Sequence, residues 1–417
     1  MNANALTWSI VALATAGVIL RPWRIPEAVW AVLGAVLLVA LGLLPWHDAL
    51  AGVLKGTDVY LFLAGMMLLA ELAREEGLFD WLAARAAQAA RGSATKLFTL
   101  IFSVGGLVTV FLSNDATAVV LTPAVAAVMK TTNAKEPLPY LLTCAFIANA
   151  ASFVLPISNP ANLVLYGSHM PPLLQWLPLY ALPSVLSILA TYLILRVAER
   201  RRLGRPIATD VEIPALSVCG HLTAWGIAAT SVVLLAASAF GLQLGLATFL
   251  AGAATAVLVF FCSKSNPITP IKNITWGILP LVAGLFVMVG ALQQTGVTGA
   301  LAALLHDAVQ DSATLAAWLS GIVLAIGCNL VNNLPAGLVT ERAMEVAHVP
   351  EHVRAALLIG VDLGPNLSVT GSLATILWLA ALRRDGYHVS AWTFLKLGVF
   401  VMPPALVLAT AGVFAFG

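Results

Sequence analysis

Two short polar motifs hold most of the side chains through which this chain could act on a solute. One is Ser113-Asn114-Asp115-Ala116-Thr117, and the other is Val331-Asn332-Asn333-Leu334-Pro335. Each interrupts a long apolar run, where an uncompensated polar group is expensive. Two more breaks have the same character. They are Ser158-Asn159-Pro160-Ala161-Asn162 and Gly364-Pro365-Asn366-Leu367-Ser368-Val369-Thr370-Gly371-Ser372. The candidate binding side chains are Ser113, Asn114, Asp115, Thr117, Ser158, Asn159, Asn162, Asn332, Asn333, Asn366, Ser368, Thr370 and Ser372. Amides and hydroxyls are neutral donors and acceptors. Helix breaks add the unpaired N–H and C=O groups of half-helix ends. Such a set suits recognition of a small polar solute or ion in transit. The competing reading is that each residue only caps a turn. Four costly breaks together favour a site.

Two carboxylates lie in these segments, Asp115 at the first motif and Asp362 just before the last break. No Lys or Arg within either segment pairs with them. An intramembrane carboxylate without a cation tends to take up a proton and can then carry it, which makes the pair candidates for proton coupling. Glu71 is a weaker third candidate. It stands beside Arg74, Glu75 and Glu76 and reads as a solvated group at the membrane interface.

The elements that must position these groups are membrane helices. Of the 417 residues, 60% are hydrophobic and 10% charged, and the mean hydropathy is +0.95. A soluble chain carries roughly 25% charge, so the expected class is an all-α polytopic membrane protein. Spans of about 17–25 apolar residues fall near 5–20, 28–44, 58–73, 139–168, 172–196, 222–240, 245–262, 275–293, 352–382 and 392–415. The segments 139–168 and 352–382 are broken in the middle by the polar stretches. Segments 96–130 and 314–347 read as re-entrant helical hairpins with the Asn motifs at their tips. Residues 78–91 and 297–308 read as amphipathic helices lying on the surface.

Gly65, Gly77 and Asn114 recur as Gly284, Gly296 and Asn333, all at one shift of 219 residues. This predicts two repeats, residues 1–205 and 222–417, joined by a cytoplasmic linker over 206–221. With the N-terminus placed outside, eighteen of the 21 basic residues fall on inner loops. Only Lys55, Arg342 and Arg354 fall outside. That bias supports ten spans and two hairpins, with both termini periplasmic. Five spans per repeat inverts the second repeat relative to the first, and matched breaks in inverted repeats place a transporter's site between them.

Several chemistries are excluded. Cys144, Cys219, Cys262 and Cys328 show no CxxC spacing, and a disulfide framework or zinc site is not expected. His348-Val349-Pro350-Glu351-His352 spells a zinc-peptidase pattern, but Pro350 is better read as starting a helix. No nucleotide-binding loop or nucleophile elbow is present, so neither an enzyme nor an intrinsic ATPase is expected. The reading calls for no metal, no cofactor and no nucleic-acid partner.

The stretch Ser113-Asn114-Asp115-Ala116-Thr117-Ala118-Val119-Val120-Leu121-Thr122-Pro123 resembles the Asn-Asp…Leu-Thr-Pro hairpin signature of ArsB-type arsenite efflux permeases. Asn332-Asn333-Leu334-Pro335 is similar to their second hairpin tip. Asp362-Leu363-Gly364-Pro365…Gly371-Ser372-Leu373-Ala374-Thr375 is similar to their late signature. The resemblance implies the elevator-type fold of the ion transporter superfamily, in which a mobile domain carries substrate past a scaffold. It implies export of arsenite and antimonite across a bacterial inner membrane against proton entry. The implied partners are arsenite, antimonite, protons and membrane lipid, with a soluble arsenite-stimulated ATPase as an optional subunit. One departure is Asn149, which stands where some family members carry an aspartate. The alternative function is a sodium- or proton-coupled anion or dicarboxylate permease, or a sodium/proton antiporter, of the same superfamily. Carboxylate permeases carry Ser-Asn-Thr at both tips, whereas Asp115 replaces the first Thr here.

Overall fold

Caps and breakers set the helix limits. The computed structural model describes residues 2–132, 134, 136–204, 207–208, 212–263 and 268–415, and these form helices and loops without a strand. In chain order the helices are α1 Ala3–Leu20, α2 Glu27–Ala40, α3 Trp46–Lys55, α4 Thr57–Glu75, α5 Leu78–Ala90, α6 Ala94–Phe111, α7 Asn114–Ala116, α8 Thr122–Thr131, α9 Leu138–Ala150, α10 Pro160–Tyr166 and α11 Leu173–Ala198. They continue with α12 Val218–Ala239, α13 Leu244–Ser263, α14 Ile268–Asn273, α15 Ile278–Gln294, α16 Val297–Val331, α17 Asn333–Ala347, α18 Glu351–Leu363, α19 Leu373–Arg384 and α20 Ala391–Val413.

Two bundles pack side by side. In the first, α4 lies along α13, α15 along α2, α12 along α13, and α1 along α2. Small residues allow the close approaches, as expected for helices whose association in lipid rests on packing. A Cβ on Gly65 of α4 would come within 2.5 Å of the Thr248 carbonyl oxygen on α13. One on Gly284 of α15 would come within 2.7 Å of the Ala31 backbone on α2. The second bundle packs α6 on α9, α16 on α18 and α17, and α11 on α20.

Other marks recur at the 219-residue shift. Gly77 (φ +71°) precedes α5 and Gly296 (φ +84°) precedes α16, both in the left-handed conformation that glycine adopts without a steric penalty. The helix α5 then turns into α6. In the second half the surface and hairpin segments run together as α16, bent at Ser312, where φ is −164° and ψ 107°.

Among the described residues eight helices are long and apolar enough to cross a membrane, or nine if α3 and α4, bent by 46°, form one span. The difference from ten spans and two hairpins has a simple cause. The first hairpin arms, α6 and α16, are long enough to qualify, while the two broken spans are divided into short halves, α2 is too short at 14 residues, and α4 qualifies only together with α3. The short helix α3 lies in a stretch the sequence reading left as a loop. The breaks fall at 151–159 and 364–372, the first beginning earlier than expected.

Loops on one face interlock. Ile207 N–H donates to the Gly92 carbonyl at 3.1 Å and Ala208 N–H to that of Thr132 at 3.0 Å. The Lys130 ammonium donates to the Asp385 carbonyl at 3.3 Å. This basic face thus gathers the linker with loops from both halves. The opposite face is tied by Gln294 to Asp48 at 2.9 Å and by Trp8 to Thr295 at 2.9 Å. Residues 133, 135, 205, 206, 209–211, 264–267, 416 and 417 lie outside the described set. They include Lys135, Arg205, Lys264, the start of the linker and the C-terminal residue that were placed by the charge count.

One expectation is corrected here. Cys219 on α12 and Cys262 on α13 form a disulfide, with Cα atoms 5.8 Å apart. The two helices run antiparallel from a tight turn at 240–243, so residues far apart in sequence meet at their other ends.

Candidate functional site

The four polar elements converge where the two bundles meet. Hairpin one turns at Ser113, whose Oγ accepts from the Ala116 N–H at 3.1 Å and starts α7. Hairpin two turns at Asn332, which holds φ +73° and accepts from the Leu334 N–H at 3.4 Å. A positive φ is uncommon outside glycine, and asparagine is among the residues that tolerate it best. Asn159 caps α10 by accepting from the Ala161 N–H at 3.0 Å, and Ser372 caps α19 by accepting from the Thr375 N–H at 3.1 Å. Four helix N-termini therefore begin at the polar breaks, each presenting N–H groups and the positive end of a helix dipole where the dipole is long enough to matter.

A small cavity lies among these ends. Its polar lining is Asn114, Asp115, Asn159, Asn333 and Ser372, with Leu63 of α4 and Ile278 of α15 supplied by the first bundle. All five polar residues come from the sequence-predicted set. Asn114 and Asn333 are nearly inaccessible, and the Asn114 Oδ1 has no partner among the described residues. A second, larger cavity shares Leu63, Asp115, Pro160 and Ile278 and continues past Ser113, Met67 and Ala70 to Glu71 and Asn273. It is a mouth between the site and the basic face. Glu71 is 8% exposed and accepts from the Arg74 Nε at 2.9 Å, so its carboxylate is buried at that mouth against an exposed guanidinium and is not a solvated group. On the surface helix nearby, partial burial pushes the Asp80 carboxyl up, opposed by the Arg74 charge.

Behind the lining lies a layer of polar braces. The Asn159 Nδ2 donates to the Asp362 Oδ1 at 2.7 Å, while the Asp362 Oδ2 has no partner among the described residues. Asp362 itself is fully buried and lies off the cavity wall. Ser372 is hydrogen-bonded to Thr375 at 2.7 Å. The Asn149 amide reaches Thr375 at 3.5 Å and the Asn366 Oδ1 at 3.0 Å, and Asn366 donates in turn to the Phe146 carbonyl at 3.2 Å.

The remaining predicted residues fasten turns. Thr117 bonds Thr109 at 2.8 Å across the arms of hairpin one. Asn162 donates to the Ser152 carbonyl at 2.9 Å, closing the first break. Ser158 donates to the Val110 carbonyl at 3.2 Å, and Thr370 donates to the Asn329 carbonyl at 2.8 Å. Val110 and Asn329 are themselves 219 residues apart, so each hairpin is held to the neighbouring break through an equivalent carbonyl. Asn332 donates to the Thr370 carbonyl at 3.3 Å, and Ser368 donates to the Asn329 Oδ1 at 2.7 Å.

Sequence reasoning passed over Asn329 and Thr375. Asn329 stands two residues before the second motif and bonds the Gly364 carbonyl at 3.0 Å, tying the hairpin arm to the late break. Its signal was present, as a polar residue in an apolar arm. Among the described residues no group of three His, Cys, Asp or Glu is placed to hold a metal ion.

Known proteins match this arrangement. Residues 10–362 match the family described as CitMHS, citrate transporter. The arsenical pump membrane protein of Escherichia coli K12 is 26% identical over 424 residues, covering 97% of each chain. That of Yersinia enterocolitica is 26% identical over 363 residues, covering 83% of each. An uncharacterized transporter of Mycobacterium tuberculosis, Rv2684, is 27% identical over 426 residues, covering 96% of each. In fold, the chain is similar to the YdaH transporter of Alcanivorax borkumensis, with a TM-score of 0.61 at 16% identity, covering 88% of this chain and 87% of that one. MtrF of Neisseria gonorrhoeae gives a TM-score of 0.54 at 15% identity, covering 100% and 96%. With its motifs, helical architecture and family match in agreement, the chain belongs to the CitMHS citrate-transporter family, as an ArsB-type permease, and is an integral membrane transporter rather than an enzyme.

Proposed function

We propose that this protein exports arsenite, and antimonite with it, from the cytoplasm in exchange for protons, and so confers arsenic resistance. The observation that carries the reading is the cavity lining. It offers amide, hydroxyl and one carboxyl group, and no Lys or Arg among the described residues. Arsenite near neutral pH is an uncharged trihydroxy acid, which such a lining can hydrogen-bond. Citrate or a dicarboxylate would call for a cationic fork, and Asp115 would repel it. The arsenical pump names of the relatives agree with this choice over the citrate of the family description.

In this reading the basic face is cytoplasmic, both termini are periplasmic, and the membrane is the bacterial inner membrane. The two halves act as inverted repeats. The second bundle, with both hairpins and broken helices, moves as the carrier against α4 and α15 of the first. Asp115 and Asp362 exchange the coupling proton. A soluble ATPase, where one is present, docks on the loops of the basic face.

Everted membrane vesicles provide the test. Arsenite and antimonite should accumulate when a proton gradient is imposed and leak out when a protonophore collapses it, while citrate should not accumulate. Gradient-driven citrate uptake with no arsenite uptake would reverse the assignment.

A further inference from the structure

The disulfide partners Cys219 and Cys262 lie away from the site described above, at the basic face. They sit among Leu68, Leu72, Leu222, Ala256, Val259 and Phe260 at the ends of α12 and α13. Ser217, two residues before Cys219, donates to the Glu76 carboxylate at 3.0 Å, which fixes the pair at the basic face. Cys219 is buried and Cys262 partly exposed, so the pair is reachable from one side.

In the proposed orientation this face meets the cytoplasm, where glutathione and thioredoxin-class thiols keep cysteines reduced. The working form is then a dithiol on the same backbone frame. Two sulfurs close enough to bond each other, on Cα atoms 5.8 Å apart, are also placed for one soft atom to bridge them. The surrounding side chains are apolar and rigidly packed, so little freedom is lost on bridging.

We propose that the reduced Cys219–Cys262 pair is a bidentate thiol site for a trivalent arsenic or antimony oxyacid at the basic-face ends of α12 and α13. The assignment rests on the reading of arsenite as cargo and of this face as cytoplasmic. In the binding step two S–As bonds form and two As–OH bonds break. The two thiol protons leave with the two hydroxides as water, the third hydroxyl stays on arsenic, and no oxidation state changes. From the disulfide, a cytosolic dithiol reductant must first supply two electrons and two protons, leaving as its own disulfide. The site differs in kind from the cavity, which offers oxygen and nitrogen groups. It would hold cargo on the first bundle, at the basic-face ends of α12 and α13.

The test is titration of the purified, phosphine-reduced full-length protein with phenylarsine oxide, read by intact mass and by maleimide labelling. One dithiol-specific adduct is expected, protecting both Cys219 and Cys262. It should be reversed by dimercaptopropanol but resist excess mercaptoethanol. C219S and C262S should each lose that resistance, with affinity falling at least about tenfold as chelation is lost. An equally resistant adduct in C219S, or two reactive thiols left at Cys219 and Cys262 at saturation, overturns the proposal. Should either variant fail to fold, oxidised wild type serves in its place. It should form no such adduct until reduced, and formation without reduction overturns the proposal. The titration needs no transport. Failure here with arsenite still accumulating in vesicles rejects only the thiol site, whereas failure of accumulation rejects the cargo reading.

Discussion

Asn159 and Asp362, 203 residues apart in sequence, share a hydrogen bond of 2.7 Å that joins the two broken helices behind the cavity. Asn159 faces the cavity and Asp362 does not, so this amide is the direct link between the cavity and the buried carboxyl. Removing it by Asn159→Ala leaves a buried carboxyl without a donor. A hydrogen bond to a charged group is worth about 1.5–3 kcal/mol, which predicts a fall of roughly 10- to 150-fold in transport rate. In a double-mutant cycle with Asp362→Asn, the two losses should fall well short of adding. Initial rates in vesicles at matched expression measure this, and strict additivity would show that the bond has no part in transport.

Asn114 and Asn333 occupy equivalent tips, and both line the cavity. Asn114→Ala and Asn333→Ala should each lose most transport while the protein still inserts. A lost hydrogen bond to a ligand costs about 1–3 kcal/mol. Arsenite resistance of a sensitive host, compared at equal membrane abundance, reports the effect. Wild-type resistance in both variants would remove these residues from the site.

Much of this was legible in the sequence, for identifiable reasons. Polar residues in apolar runs are conspicuous, so Asn114, Asn159, Asn333 and Ser372 stood out before any coordinates. What the sequence could not separate was lining from bracing. Ser158 and Thr370 sit in the same motifs as Asn159 and Ser372, but their hydroxyls turn back to the Val110 and Asn329 carbonyls. Which way a side chain turns depends on the packing of a hairpin against a break, and no local pattern encodes it. Asn329 was missed because it lies inside a helical arm where a turn motif would not be sought. The pairing of Cys219 with Cys262 shows neither in their spacing along the chain nor in their place at the edge of apolar runs. They stand at nearly equal distances from the 240–243 turn, and an antiparallel pairing of α12 and α13 would have revealed them.

Gly65 and Gly284 are legible as repeats but explained only by packing. Gly65→Leu would drive a side chain into the α13 backbone at Thr248, and Gly284→Leu into α2 at Ala31. Overpacking typically costs about 1–3 kcal/mol. Both variants should lower the melting temperature of the detergent-solubilised protein, with Gly290→Leu, whose Cβ would meet open space, as the control. Equal melting temperatures for all three would show that the close approaches do not limit stability.

The proposed orientation puts both ends of the chain outside. A reporter active only in the cytoplasm, fused after Gly417, should be silent, while the same reporter inserted after Asp385 on the basic face should be active. The opposite pattern would invert every assignment of side made above, including the cytoplasmic placement of the mouth.

Coupling gives the last test. Asp115 lines both cavities, and Asp362 lies one hydrogen bond behind Asn159. If export is driven by proton entry, at least one of them must gain and lose a proton in each cycle. Asp115→Asn and Asp362→Asn keep size and hydrogen-bonding capacity while abolishing titration. At least one should eliminate gradient-driven accumulation of arsenite while leaving downhill exchange in place, because exchange needs binding and movement but no net proton transfer. The measurement is accumulation in everted vesicles at about pH 6, 7 and 8, paired with counterflow of arsenite at equilibrium. The two positions predict different patterns. Asp115 contacts the solute space, so Asp115→Asn should also weaken arsenite binding. Asp362 does not, so Asp362→Asn should spare binding and lose coupling alone. If both single variants and the double variant accumulate arsenite with the wild-type pH dependence, the proton travels elsewhere. The Glu71–Arg74 pair at the mouth would then be the next group to test.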